Sequence, residues 1–367
     1  MNVANGMNAG KPVIATASAS AFASASASST ASSEAASEVT SAMVLEVIHL
    51  TRYVYASRVS LAHHLAHLKP LSDRHQDLLA FQLDISPTPT QRSDSVDFMG
   101  NAQTYFSLAQ PHDSLRVRAT SRVLVAPRFP ALQAQASPPW DQLAGSLRYV
   151  ARAPFSGAVE FTLPSPYVPR LAVLRDYALP SFAPGRPVAE AALELMQRVH
   201  HDFRYETRST DIDTPLAQAF EQRRGVCQDF AHVMTGALRM LGLPARYVSG
   251  YLLTNGPAED HMAGAAAASG RPAHPATLVG ADASHAWVQV WCPRTPGVPA
   301  DSAGDGWLGL DPTNNLVPAA RHVRLAVGRD FGDVTPLRGV IRGGDRHTLE
   351  VGVSTRVVAG ALVATSS

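Results

Sequence analysis

The sequence predicts an α+β protein in which an antiparallel β-rich domain precedes a core of mixed helices and strands. Three observations predict it. Between residues 43 and 126, runs of alternating apolar residues are separated by Pro and Gly-Asn turns, as in an antiparallel sandwich or barrel. From residue 187 the apolar spacing changes to three and four, the period of helices. After Pro244 it returns to alternation around His285 and Trp307.

Residues 1–42 are dominated by Ala and Ser and hold almost no large apolar side chains, so they cannot bury enough surface to offset ordering entropy. They read as a disordered leader. The Ala-Ser-Ala triplets imitate signal cleavage sites, but no compact apolar stretch precedes them. Met43 stands directly before the first strand and reads as an alternative translation start, which N-terminal mass spectrometry of the native protein tests. Strands are expected over 44–55, 60–68, 78–85, 103–109 and 115–125, divided by Pro70, Pro87, Pro89, Gly100-Asn101 and Pro111. His63, His64 and His67 fall among them as ordinary strand side chains: 63 and 67 share a face without a thiol or acidic companion, and 64 and 67 oppose each other.

Residues 127–186 are rich in Pro and aromatics and read as a connecting segment. A helix starts at Pro187, with Val188, Ala191, Ala192, Leu195, Val199 and Phe203 on one stripe. A shorter one opens at Thr214-Pro215, carries Leu216 and Phe220, and is expected to end at Gly225. The next holds Phe230, Val233, Met234, Ala237, Leu238 and Leu241 at helical spacing, then stops at Gly242 with Pro244 beyond. Cys227 falls in its first turn, where unpaired N–H groups and the positive end of the helix dipole favour a thiolate.

Two partners follow. His285 opens an alternating run in which Ala286, Val288 and Val290 face one way and Trp287, Gln289 and Trp291 the other, so its imidazole is held on strand backbone. Asp311 closes the apolar run 307–310, and Pro312 ends the pairing, which leaves the carboxylate at a strand end. There it can accept the second ring N–H of His285 and fix the tautomer. Taken singly, each residue has a plainer reading: a Cys at a helix start is more often a small buried hydrophobe, a strand His is structural, and Asp-Pro is a turn. Together and in this order they meet the demands of one mechanism, a thiol nucleophile with a base and an orienting acid.

These segments carry a family resemblance. Gly225-Val226-Cys227-Gln228-Asp229-Phe230-Ala231-His232, then Ala245-Arg246-Tyr247-Val248-Ser249-Gly250-Tyr251, Ser284-His285-Ala286-Trp287-Val288 and Asp311-Pro312-Thr313-Asn314 resemble the transglutaminase-like superfamily, whose core is similar to papain-type cysteine proteases. The bacterial branch described as transglutaminase-like cysteine peptidases is the nearest in pattern. Upstream, 45–55, Asp97-Phe98-Met99-Gly100-Asn101 and 115–125 are similar to the β-rich region that accompanies this core in bacteria, with Met99 where a Phe is usual. Downstream, 327–339 is similar to its C-terminal segment. The resemblance implies Cys227 as nucleophile, His285 as general base and acid, and Asp311 as orienting carboxylate. Gln228, Asp229, Tyr205 and Asp282 are site-shaping candidates, although capping or solvation explains the acids equally well.

The implied domains are a leader (1–42), a β-rich domain (43–126), a connection (127–186), a catalytic core (187–322) and a C-terminal β-rich segment (323–367). The Gly/Ala/Pro-rich stretch 254–283 is long for a connection and, since it precedes His285, reads as a loop bordering the cleft. His261 and His274 lie on it without metal-ligand spacing.

Composition limits the function classes. A net charge of +1, from 31 Lys+Arg against 30 Asp+Glu, offers no basic patch for nucleic acid. No apolar run is long enough for a membrane span, and 2 Cys exclude a disulfide scaffold, leaving Cys292 a passive thiol. A reducing cytoplasm suits a reactive thiol. The expectation is a thiol-dependent amide or peptide hydrolase acting through a thioester on a peptide or protein, with no cofactor and no metal. Acyl transfer to an amine is the alternative. The chain has no Asp-rich calcium loop of the kind that would favour calcium-dependent crosslinking. A non-catalytic scaffold is third, since it would have no need of all three residues.

Overall fold

The computed structural model describes residues 42–152, 156–207, 214–253, 284–298 and 306–358. An antiparallel sheet is organised around one long strand, β1 (Met43–Ala66). With it run β2 (Gln76–Ser86), β3 (Gln91–Val96), β4 (Ala102–Leu108) and β5 (His112–Val125), in the order β2-β5-β1-β4-β3. The runs 44–55 and 60–68 are thus one strand, because the intervening Ala56-Ser57-Arg58 holds neither Gly nor Pro to turn the chain. The division shows in the pairing instead: β1 bonds β5 mainly through residues 43–54 and β4 through residues 62–66. His67 lies beyond the end of β1 and is buried, its Nδ1 donating to the Thr335 carbonyl and its Nε2 accepting from the Gln103 amide, whereas His63 is exposed; the two do not share a face. The polar β3 has no apolar alternation and was invisible to periodicity; it is an exposed edge paired to β4.

The connection 127–186 contains two short helices, α1 (Trp140–Ser146) and α2 (Ala172–Ala178). Beyond it come α3 (Val188–Asp202), β6 (Arg204–Tyr205), α4 (Leu216–Gln222), β7 (Arg224–Gly225) and α5 (Cys227–Met240). The strands β8 (Ala245–Leu252), β9 (His285–Trp291), β10 (Trp307–Leu310) and β11 (His322–Gly328) form a second antiparallel sheet ordered β10-β9-β8-β11. A boundary after residue 322 therefore cuts through the core: β11 is an edge strand of the core sheet, paired with β8, because its apolar Val323, Leu325 and Val327 find their burial there. A single-turn helix, α6 (Phe331–Val334), leads to β12 (Leu337–Gly343) and β13 (His347–Val357), which return to pair with the two halves of β1.

Helix α5 lies on one face of the core sheet. Its Phe230, Val233, Met234, Ala237 and Leu238 join Ala245, Tyr247, Ala286, Val288, Val290, Leu308 and Leu310 in one buried cluster. Burying each larger apolar side chain contributes about 1.5–3 kcal/mol, which makes this cluster the main anchor of the helix carrying Cys227. At Gly236 a Cβ would stand 2.7 Å from Leu174 Cδ1, so the glycine lets α2 pack directly against α5.

The N-terminal sheet packs on the β8–β11 side of the core sheet. Leu45, Val47, Val123 and Val125 pack on Tyr251, Leu253, Val323 and Leu325. Asn101, fully buried in the β3–β4 turn, pins the two sheets together: its amide donates to Val327 O at 2.7 Å and its carbonyl accepts the Val327 N–H at 2.8 Å. Asp97 holds that amide in place, accepting from both the backbone and the side chain of Asn101 at 2.8 Å. The Gly-Asn turn thus acts as a docking device between the sheets.

Candidate active site

The turn before Cys227 is built to aim a helix start. α4 stops at Arg223, whose φ of 53° reverses the chain and whose guanidinium stacks 3.9 Å over Phe220. The helix therefore ends two residues before Gly225, which instead pairs in β7 beside β6. Gly225 serves another purpose: a Cβ there would stand 2.4 Å from Asp229 Oδ2. That carboxylate needs the room because it accepts the Val226 N–H at 2.8 Å, closing the first turn of α5. Asp229 is thus a helix cap that shapes the site from below.

Cys227 is the first residue of α5, 8% exposed, with its thiol 3.9 Å from the carbonyl of Ser284. First-turn N–H groups have no partner four residues back, so the backbone around the sulfur presents donors. Tyr205 packs on Phe230 at 6.4 Å between ring centres, and Gln228 is half-buried in the same turn. Tyr247 comes up from β8; burial first, then the nearby Cys227 charge, hold its phenol well above the ordinary value.

His285 opens β9 as expected and is 1% exposed. Its Nε2 lies 2.8 Å from Asp311 Oδ2. Burial alone would depress the imidazolium, but the Asp311 charge and hydrogen bond, followed by the interaction with Cys227, overcome it and hold the ring well above its usual pKa. The other nitrogen, Nδ1, has no conventional hydrogen-bond partner among the described residues.

Asp311 is fully buried. Its Oδ1 accepts the backbone N–H groups of Thr313 at 3.0 Å and Asn314 at 3.2 Å; its Oδ2 takes His285, the Asn314 amide at 2.9 Å and His322 Nε2 at 3.2 Å. Burial opposes its charge, yet these donors and the His285 cation hold the carboxyl far below its ordinary range. The Asp-Pro-Thr-Asn turn therefore supplies three of the donors, two from backbone and one from a side chain.

His322 was not foreseen. It opens β11, eleven residues after Asp311, and the one available signal was a His at the head of an alternating strand, the same signal that marked His285. The ligand atoms of His285, Asp311 and His322 lie within 4.8 Å of one another, a donor set that can hold a metal. Their separations of 2.8 and 3.2 Å are those of N–H···O bonds and account for the cluster as it stands. Asp282, His261, His274 and the loop 254–283 lie outside the described residues.

A helix begun by a cysteine and packed on an antiparallel sheet that carries the histidine is the papain-like core of thiol-dependent proteins. Residues 176–312 match the transglutaminase-like superfamily, and residues 45–124 match the bacterial transglutaminase-like N-terminal region. An uncharacterized protein of Mycobacterium tuberculosis is 38% identical over 315 residues, covering 85% of this chain and 91% of its own. Another from Mycobacterium leprae is 30% identical, covering 84% and 96%. A protein-glutamine gamma-glutamyltransferase of Pseudomonas aeruginosa is 30% identical over 156 residues, 41% of this chain and 19% of that one. Among solved structures, a candidate cysteine protease of Cytophaga hutchinsonii shares the fold, with a TM-score of 0.62, 19% identity and coverage of 88% and 93%. The chain belongs to the transglutaminase-like superfamily.

Proposed function

We propose that the protein is a thiol-dependent amide or peptide-bond hydrolase in which Cys227, His285 and Asp311 act in line. The observation that carries this reading is the buried 2.8 Å bond from His285 to Asp311 beside a cysteine at a helix start. Asp311 stabilises the imidazolium and fixes the ring so that Nδ1 is left for the sulfur. The Cys227 thiolate attacks the carbonyl carbon, and the developing oxyanion is met by first-turn N–H groups of α5, that of Cys227 among them. His285 gives its proton to the departing amine as the C–N bond breaks, leaving a thioester. It then takes a proton from water, whose oxygen attacks the thioester and releases the acid and the thiolate. A peptide or protein substrate working in a reducing compartment such as the cytoplasm fits this chemistry. Among the described residues, no helix is long and apolar enough to cross a membrane.

Acyl transfer is the second reading, favoured by the likeness of the core to the Pseudomonas gamma-glutamyltransferase. The same thioester would pass its acyl group to an amine in place of water. Incubating a glutamine-containing peptide with and without a primary amine separates the two by product mass: a 1 Da gain, about that of deamidation, for hydrolysis of the side-chain amide, chain cleavage for peptide hydrolysis, or an amine adduct for transfer. No product and no acyl-Cys227 adduct under any of these conditions would remove both readings.

A further inference from the structure

The carboxylate at the centre of this site is gripped from two strands, and only one grip belongs to the three residues discussed above. His285 reaches Asp311 Oδ2 from β9 at 2.8 Å; His322 reaches the same oxygen from β11 at 3.2 Å. The two rings lie 6.1 Å apart, and Trp287 touches both, stacked on His285 at 6.1 Å and edge-on to His322 at 5.4 Å. His322 is itself 3% exposed, and its N–H is tied to Ala319 O, so the ring stands on fixed backbone.

The chemistry of the contact assigns the protons. Burial disfavours the charged form of His322 and holds its pKa below the ordinary value, so near neutral pH the ring is neutral and carries one N–H. Facing an ionised carboxylate, that hydrogen sits on Nε2. Nδ1 is then an acceptor, and it has no donor among the described residues. A buried lone pair left unsatisfied is a cost that a Leu or Phe at the same place would avoid. The polar ring earns its position only through the bond to Asp311.

We propose that His322 is a positioning residue: from β11 it donates to the same Asp311 Oδ2 that His285 reaches from β9, and so holds the carboxylate toward the catalytic imidazole. The inference rests on the Cys227, His285 and Asp311 reading given above. The charged or titratable groups around the pair are Asp311, Cys227 and Arg321. The Thr313 and Asn314 N–H groups and the Asn314 side chain hold Asp311 from its own turn, and His322 is the donor that reaches it from β11.

Three variants test it. His322→Gln places an amide N–H near the position of Nε2; His322→Asn is one methylene too short to reach Oδ2; His322→Leu fills the space without a donor. Alkylation of Cys227 by iodoacetamide across pH reads the thiolate–imidazolium pair without any substrate. Cys227→Ser serves as the blank for Cys292, which is fully buried. Expected are a Gln variant within about 3-fold of wild type, and Asn and Leu variants that react about 10- to 100-fold more slowly. Their alkaline limb should fall at lower pH, because His285 loses the support of a fixed carboxylate. With a turned-over substrate the same loss appears in kcat, with KM unchanged.

Should Leu fail to fold, by circular dichroism and thermal melting, the Gln and Asn pair decides alone. Superimposable profiles for Gln and Asn overturn the proposal. So does an alkaline limb that moves upward in Asn, since His322 would then merely screen the Asp311 charge. If the wild-type thiol shows no enhanced reactivity at acid pH, the hydrolase reading falls and this inference with it. An activated wild-type thiol with indistinguishable variants removes only the inference.

Discussion

Cys227 and Cys292 are the chain's two cysteines, both are buried and neither is in a disulfide, yet their surroundings differ. Cys292 follows β9 in an apolar cluster; burial pushes its thiol far up, and no charged group offsets that. Cys227 stands at the other end of the same strand's partner helix, where backbone donors and a histidine held as a cation surround the sulfur. Burial is common to both and explains neither difference. What separates their surroundings is charge: the His285–Asp311 pair stands with Cys227, whereas burial alone acts on Cys292.

The most direct way to break this contrast is to exchange the two. Cys227→Ser should lower turnover by roughly 10⁴-fold or more while Cys292→Ala leaves it nearly intact, read by product formation and by mass after alkylation. Equal losses from folded variants would erase the distinction. Asp311→Asn should cost at least about 100-fold in kcat/KM. It also sharpens the electrostatic half of the argument. Because Asp311 raises the His285 pKa, the wild-type alkaline limb should lie well above the ordinary imidazole value of about 6.5, and the Asn variant should bring it back toward that value. An unmoved limb would show that the carboxylate does not set the charge of the ring.

Smaller effects test the frame that holds Cys227 and not Cys292. Gly225→Ala pushes a methyl into the Asp229 cap and should cost about 1–3 kcal/mol in urea unfolding, with slower alkylation of Cys227. Asn101→Ala leaves the buried Val327 N–H and C=O without their partner and should cost about 1–3 kcal/mol while sparing reactivity, since the pin joins the two sheets through bonds to Val327 and Asp97, none of which involves Cys227, His285 or Asp311.

The smallest change concerns Asp73. Burial would raise its carboxyl, but the Arg128 and Arg324 charges overcome this and hold it down to about 2. A depressed folded-state value stabilises above the unfolded value of about 3.9, and the contribution is lost as pH falls through about 2. Asp73→Asn should therefore be less stable than wild type at neutral pH, with the gap closing in acid melts near pH 2.

Local pattern carried a good deal of this. The 3/4 stripe of α5 and the Gly242 stop were legible because helix period and breaker chemistry are local properties, and the alternation of β9 separated Val288 from Trp287 correctly onto the α5 face and the opposite face. The strand His285 and the Asp311 turn were readable for the same reason. The polar β3 was not, since an edge strand is made by its neighbour's hydrogen bonds. Nor was the place of β11, whose apolar residues satisfy any sheet equally well until β8 is present.

The sequence by itself determined on what kind of element Cys227, His285 and Asp311 each stand, because capping, periodicity and turn residues act within a few positions of the chain. Tertiary structure alone decided that His285 and Asp311 meet at 2.8 Å, that Asp229 serves as a cap, and that His322 shares the carboxylate. Those outcomes depend on how strands far apart in sequence are brought into register. That register is set by the joint burial of two sheets and a helix, a property no single segment contains.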